Sequence, residues 1–289
     1  MAVATRLGAS PGFQIVAVDA MQVYRGMDIG TAKPTPADRA AVPHHGLDLI
    51  DPDHEFTVAQ FGRAANAAIE QIRQSAGRPL LVGGTGLYLR SLTDPMQIPG
   101  TWPDVRNALE AQLAAGEPID QLHRQLAQLD PAAAAKMQPA NARRVVRALE
   151  VCLGSGRPFS AFGPGIDSYP TVPFMQVGLR WARPKLAERI ERRVHRMMAE
   201  GLLDEVERLR TRWRLSRTAA QALGYKELIE HLDGQVSLDH AVEQVIVRTR
   251  QFAVRQDRWF RRDPRVQWVD IEADPVTETV PVIEELLMR

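Results

Sequence analysis

The sequence predicts an α/β fold in which a parallel sheet carries helices and is interrupted by a helical insertion. Three observations lead there. Two short apolar runs, Gln14 to Val18 and Pro79 to Val82, stop abruptly in polar or glycine-rich sequence. A helix-spaced apolar pattern lies between them, and the stretch from Thr101 to Ser168 is helix-like with no convincing strand. With 289 residues, 45% of them hydrophobic, the chain buries a sizeable core, as one large domain or as a core plus a small insertion.

The elements follow in order. Gln14 to Val18 favours extended structure and ends at Asp19, while Pro79 to Val82 ends in Gly83-Gly84-Thr85-Gly86, so both are expected to be buried parallel strands. Between them, Val58 to Ile72 places Phe61, Ala65, Ala68, Ile69 and Ile72 at helical spacing with Thr57 as N-cap, which predicts a βαβ crossover. A third strand is expected at Phe174 to Trp181, then long amphipathic helices at Pro184 to Glu200, Leu202 to Trp213 and Leu238 to Arg261, and a last strand at Val266 to Asp270. Residues 1–100 and 169–289 are thus expected to form the core, and 101–168 an insertion of helices broken at Gly116, Pro118, Pro131, Pro139 and Gly154. Asp130-Pro131 is a sound helix start, with Asp as N-cap and Pro in the first turn. The Gly- and Pro-rich loop Phe162 to Pro173 leads back to the core.

Composition removes several classes. No run of about 18 apolar residues occurs, so no helix is expected to span a membrane, and the first residues lack the basic start and apolar stretch of a signal peptide; a cytoplasmic location is expected. Cys152, the single cysteine, has no disulfide or CxxC partner and reads as a core residue. His44, His45 and His54 lack an HExxH pattern or a matching carboxylate cluster, so no metal site is expected and a structural or loop role is preferred. The net charge of +1 hides arginine-rich stretches from Arg180 to Arg217 and from Arg248 to Arg265. Lysine occurs only at Lys33, Lys136, Lys185 and Lys226, and arginine is the better fork for phosphate. These stretches read either as phosphate-binding surface or as solvated helix faces.

In an open parallel sheet, ligands sit beyond the carboxyl ends of the strands, where a carboxylate ending one strand and a glycine-rich turn ending the next share a crevice. Asp19 and Thr85 fit those places. By themselves they also fit a helix cap and a simple chain reversal.

Context comes from the string Val18-Asp19-Ala20-Met21-Gln22-Val23-Tyr24-Arg25-Gly26-Met27-Asp28-Ile29-Gly30-Thr31-Ala32-Lys33-Pro34, then Pro43-His44-His45 and Val82-Gly83-Gly84-Thr85-Gly86-Leu87-Tyr88. With Asp104-Val105-Arg106, Leu122-His123-Arg124, Asp130-Pro131, Arg143 to Glu150, Leu223-Gly224-Tyr225 and Arg255-Gln256, it resembles the tRNA dimethylallyltransferase (tRNA isopentenyltransferase) family over nearly the whole chain. The resemblance implies a P-loop-NTPase-like, nucleotide- and ATP-binding type of parallel-sheet core with a helical insertion that contacts the tRNA anticodon stem. It also implies transfer of a dimethylallyl group from its diphosphate to N6 of the adenosine just 3′ of the anticodon, in tRNAs reading codons that start with U. An adenine amino group is a poor nucleophile, so a carboxylate that takes its proton helps, and Asp19 matches the family's base. Thr85 matches a hydroxyl that donates to the leaving diphosphate, Lys33 adds charge there or forms a salt bridge within the fold, and Mg²⁺ enters only through the diphosphate.

The family's tRNA contacts carry over to Asp19, Ala20, Met21 and Gln22; to Arg106; to Arg143, Arg144, Val145, Val146 and Arg147; to Gln221, Ala222, Leu223, Gly224, Tyr225 and Lys226; and to Val254, Arg255, Gln256, Asp257, Arg258, Trp259, Phe260 and Arg261. A reactive base must leave its stack, so aromatic and arginine surfaces are expected, and Arg248, Phe252, Arg255, Trp259 and Arg262 lie close to one helical stripe; Phe252 and Trp259 fit a core role as well. The implied partners are a tRNA anticodon stem-loop and dimethylallyl diphosphate, with no membrane, and a monomer is expected.

Two features depart from the pattern. The family opens with a strand and a GxxxxGK[ST] loop, and no such motif occurs here; Met1 to Gly8 instead resembles the last turns of the helix that follows that loop, with Ala2, Val3 and Leu7 on its buried side. The expectation is a chain begun at an internal Met, with poor binding of the diphosphate. Val254 stands where the family usually has a basic residue, and Arg258, Arg261 and Arg262 are the candidates to replace its charge. The alternatives are a catalytically impaired tRNA-binding remnant and a P-loop kinase or adenylate prenyltransferase acting on a free nucleotide.

Overall fold

The computed structural model describes residues 2–10, 12–163 and 165–288. Contacts divide the chain into two compact units, Met1–Thr93 with Val172–Arg289, and Asp94–Thr171.

The first unit is organised by β1 (Phe13–Val18), preceded by a short helix, α1 (Ala2–Gly8). β-Branched and small residues fill the last four positions of β1, where Ile15, Val16, Ala17 and Val18 are buried on both faces, as the middle strand of a covered parallel sheet requires. After α2 (Pro36–Ala41), the two-residue β2 (His44–His45) pairs parallel to β1 with Ile15 opposite His44. The crossover helix α3 (Val58–Gln74) starts at a capping box, Thr57 with Gln60, and buries Phe61, Ala65, Ile69 and Ile72. It returns the chain to β3 (Arg78–Gly83), parallel to β1 on its other side, and α4 (Gly86–Thr93) begins after the glycine turn. Both strands read from the sequence are present, but β3 is only half-buried, because it lies at the end of the order β2-β1-β3. In α1 the buried side is Val3, Ala4 and Leu7, whereas Ala2 is exposed, so the expected face is rotated; Met1 lies outside the described residues.

The second unit contains helices α5 (Pro103–Ala114), α6 (Ile119–Leu129), α7 (Pro131–Ala135) and α8 (Ala142–Ser155). It is wider at each end than the stretch read from sequence. Asp130 caps α7 by accepting from the Ala133 amide at 3.0 Å, and it also holds the Ser160 amide and hydroxyl. Gly154 was expected to break a helix and does not. It lies inside α8, where a Cβ would stand 2.2 Å from Trp102 Cγ, and the helix stops instead at Gly156, whose φ is 67°. Cys152 is buried in this unit's core, and burial pushes its thiol pKa up. Of the return loop from Phe162 to Pro173, Pro164 lies outside the described residues.

The chain re-enters the first unit at β4 (Gln176–Trp181) and continues through α9 (Arg183–Ala199), α10 (Leu202–Arg212), α11 (Arg217–Ala220), α12 (Tyr225–Leu232) and α13 (Leu238–Phe260) to β5 (Val266–Ile271) and α14 (Pro275–Met288). β4 and β5 pair parallel as a separate two-stranded sheet, so the strands expected to share one sheet form two. The principal core gathers Tyr24, Met27, Phe61, Leu202, Tyr225 and Leu228 from both halves of the unit's sequence. No helix among the described residues is long and apolar enough to cross a membrane.

The second unit has one expensive group at its centre. The Glu150 side chain is fully buried; it accepts the Trp102 amide at 2.9 Å and Arg106 Nε at 2.8 Å, with Arg147 2.9 Å away as an ion pair. Burial alone would raise its pKa, but the Trp102 amide and the two guanidinia more than offset that and hold it below the ordinary glutamate range. Glu150→Ala is expected to lower the unit's stability by about 3–5 kcal/mol in urea unfolding, because two arginines lose their acceptor. Since the folded pKa is depressed, the stabilisation is present above about pH 4.3 and drains away as the pH falls through the folded value, so the variant's unfolding profile should be flatter than wild type in acid.

Candidate active site at the ends of two parallel strands

The register of β1 with β3 places Val18 opposite Gly83, so the two strands end together. A Cβ at Gly83 would lie 2.0 Å from the Val18 carbonyl oxygen, which only glycine avoids. Just beyond, Asp19 and Thr85 are both half-buried. The Asp19 carboxylate accepts the Met21 amide at 2.8 Å and the Gln22 amide at 3.3 Å, both on Oδ1, and Oδ2 carries no hydrogen bond among the described residues. The Thr85 hydroxyl accepts the Ala20 amide at 3.1 Å, which leaves its own hydrogen to donate elsewhere. One oxygen is fixed and one is open, beside a hydroxyl with an uncommitted proton.

The C-terminal half of α13 lies on the glycine turn. Gln256 donates to the Gly84 carbonyl at 2.8 Å. Cβ atoms at Gly84 and Gly86 would each come within 1.9 Å of a side-chain nitrogen, Gln256 Nε2 and Trp259 Nε1 respectively. Below the turn Tyr88 stacks on Phe61 with ring centroids 4.4 Å apart. Burial, then the nearby charges of Tyr24 and Asp19, push its phenol pKa well up, so it is neutral at any working pH.

One cation that sequence reading missed is electrostatically coupled to this carboxylate. Arg193 on α9 is open to solvent, yet crowding by protein and the Arg196 and Arg189 guanidinia lower its pKa, while the Asp19 carboxylate opposes them. The arginine-rich stretch was legible, but which of its members approaches Asp19 depends on how α9 packs.

Several carried-over positions are corrected by the structure. The Lys33 side chain is 1% exposed, and its ammonium donates to the Tyr24 carbonyl at 2.5 Å, Asp28 at 2.8 Å and Asp48 at 2.7 Å, so all three donors are committed within the fold and none is left for a diphosphate. Val145 and Val146 lie in the core of the second unit, on the apolar stripe their helix turns inward, and Ala222, Gly224 and Tyr225 are buried in the first. Gln22 is also buried and donates to the Thr31 and Ala32 carbonyls. Arg143, Arg144, Gln221, Arg255, Arg258 and Arg261 are exposed, whereas Leu223, Lys226, Val254, Asp257 and Phe260 are half-buried. Arg106 and Arg147 are engaged by Glu150, and Arg147 also reaches the Pro99 and Gly100 carbonyls. Phe252 is 41% exposed, with Arg255 5.9 Å above its ring, which removes it from the core. His44 and His45 form β2, and their rings bond the Val42 carbonyl and the Gln14 side chain.

Residues 22–263 match the sequence profile of the IPP transferase family. The chain belongs to that family. A tRNA dimethylallyltransferase of Kineococcus radiotolerans is 49% identical over 279 residues, covering 96% of this chain and 87% of that protein. One from Streptomyces avermitilis is 48% identical and covers 92% and 84%. Among solved structures, the tRNA δ(2)-isopentenylpyrophosphate transferase of Staphylococcus epidermidis superposes with a TM-score of 0.71 at 31% identity, over 99% of this chain and 94% of that one. A eukaryotic dimethylallyltransferase acting on tRNA gives 0.78 at 25% identity, over 99% and 74%. The P-loop-NTPase-like α/β class expected from the resemblance is the fold this family member shares with them.

The glycine turn gives a graded prediction for the family member. Gly83→Ala drives a methyl into backbone and is expected to cost about 3 kcal/mol or more, whereas Gly84→Ala meets the end of a flexible side chain and should cost about 1 kcal/mol, both read from urea unfolding midpoints.

Proposed function

We propose that the site transfers a dimethylallyl group from dimethylallyl diphosphate to N6 of the adenosine just 3′ of the anticodon, in tRNAs that read codons starting with U. The arrangement of Asp19 supports this most directly: one oxygen is pinned by two amides and the other is open, next to a hydroxyl able to donate. As the N6 lone pair attacks the allylic carbon, the carbon–oxygen bond to the diphosphate breaks, and Asp19 takes the N6 proton. Thr85 donates to the departing oxygen, where negative charge grows, and Arg193, which is electrostatically coupled to Asp19, adds positive potential. Proton removal and leaving-group stabilisation thus rest on separate side chains at the ends of two adjacent strands.

Magnesium enters this reading as a companion of the diphosphate. No group of three or more His, Cys, Asp or Glu side chains able to hold a metal occurs among the described residues. Bound through the diphosphate, the ion would supply charge neutralisation, with phosphate oxygens and water as its main ligands. Exposed arginines on α13, with Arg143 and Arg144 in the second unit, take the anticodon stem's phosphates, and the second unit serves as the insertion that contacts that stem. The exposed Phe252 ring offers a stacking surface for an unstacked base. The protein acts in the cytoplasm as a monomer. A tRNA-binding remnant without catalysis is not favoured, because relatives sharing most of the chain are named for the transfer reaction.

Asp19→Asn is expected to lower prenyl transfer by about 10²–10⁴-fold while tRNA affinity stays within a few-fold. Full turnover in that variant sinks the assignment of the base. Affinity for an anticodon stem-loop should fall steeply with salt, by several units in the log–log slope. A flat response would show the arginine stretches to be solvated faces only.

A further inference from the structure

Glu205, on the first turns of α10, is buried and lies about 175 positions from the loop it holds. Its carboxylate accepts the amides of Asp28 at 3.0 Å and Ile29 at 2.8 Å on one oxygen, and that of Gly30 at 3.2 Å on the other. Three successive backbone amides converging on one anion form a nest. The Tyr225 hydroxyl supplies a fourth donor at 2.7 Å. Its ring seals the site, because a Cβ at Gly30 would stand 2.6 Å from Tyr225 Cε2. Every donor and acceptor here is matched, so the loop is locked to α10 and α12.

The same loop leads to the active site. Immediately after Gly30, the carbonyls of Thr31 and Ala32 accept both contacts of the Gln22 side chain, at 3.0 and 3.3 Å. The Gln22 backbone amide, with that of Met21, holds Asp19 Oδ1. A continuous path of hydrogen bonds thus runs from the Glu205 carboxylate through the loop and Gln22 to Asp19. Tyr225 stands in the segment Gln221 to Lys226 that the resemblance associates with tRNA, yet its side chain is fully buried.

We propose that Glu205 and Tyr225 are positioning residues: they clamp the loop from Asp28 to Ala32, and through Gln22 they fix the orientation of the Asp19 carboxylate. The inference rests on the reading of Asp19 as the base. It makes Tyr225 an element of the catalytic geometry that touches no substrate, in place of the surface contact suggested by its position in the sequence.

Amide hydrogen exchange on the full chain tests the clamp without requiring turnover. Tyr225→Phe keeps the ring and removes one hydrogen bond; Glu205→Gln keeps the shape and turns an NH₂ group toward backbone donors. Both variants are expected to speed exchange of the Asp28, Ile29 and Gly30 amides and, through Gln22, those of Met21 and Gln22 by about tenfold, with the β1 amides unchanged. In turnover, Tyr225→Phe should lower kcat about tenfold with KM for tRNA unaltered. Acceleration confined to Asp28–Gly30, or a uniform acceleration across β1 as well, overturns the proposal. If Met21 and Gln22 respond as expected while Asp19→Asn retains full turnover, the clamp stands and the base assignment falls.

Discussion

Parallel pairing of β1 with β3 is the constraint on which the site depends. A hydrogen-bonded ladder fixes the relative height of its two strands, and a slip of one residue would turn every side chain to the opposite face. With Val18 opposite Gly83, the first residues beyond the sheet are a carboxylate on one strand and, after Gly84, a hydroxyl on the other. The absence of a side chain at Gly83 lets the backbones close up, and its absence at Gly84 and Gly86 lets α13 rest on the turn. Moving the ladder would separate Asp19 from Thr85 and unseat Gln256 and Trp259 together.

What could be read from the sequence was what local chemistry dictates. Strand ends, the Thr57 N-cap and the Asp130-Pro131 helix start are decided within a few residues, and all of them are present. Asp19 and Thr85 were legible as a pair because both sit at strand ends. Lys33 was not, since its burial is set by Asp28, Asp48 and the Tyr24 carbonyl, which only the folded loop assembles. The two-residue β2 is too short for a pattern, and α14 contains Pro281, which reads locally as a breaker. Val145 and Val146 show the limit of carrying a motif across as a block: an arginine-rich helix still needs an apolar face, and those two residues supply it.

Arginine usage resolves in the same way. Some guanidinia serve the fold, as with Arg106 and Arg147 on Glu150 or Arg248 on Glu227. Others form exposed pairs of small energetic value, such as Arg180 with Asp270 and Arg250 with Glu191. A count of positive charge therefore overstates what is available to an RNA backbone, and helix packing decides which arginines remain.

The division into units bears on how the protein is made. The second unit is one uninterrupted stretch, whereas the first is assembled from residues on both sides of it. A ribosome delivers the whole of the second unit before it has made α9, α10 or α13, while β1 and β3 wait with their apolar faces incomplete. Glu205 and Tyr225 are synthesised long after the loop they hold. The geometry at Asp19 is thus among the last features of the nascent chain to be set.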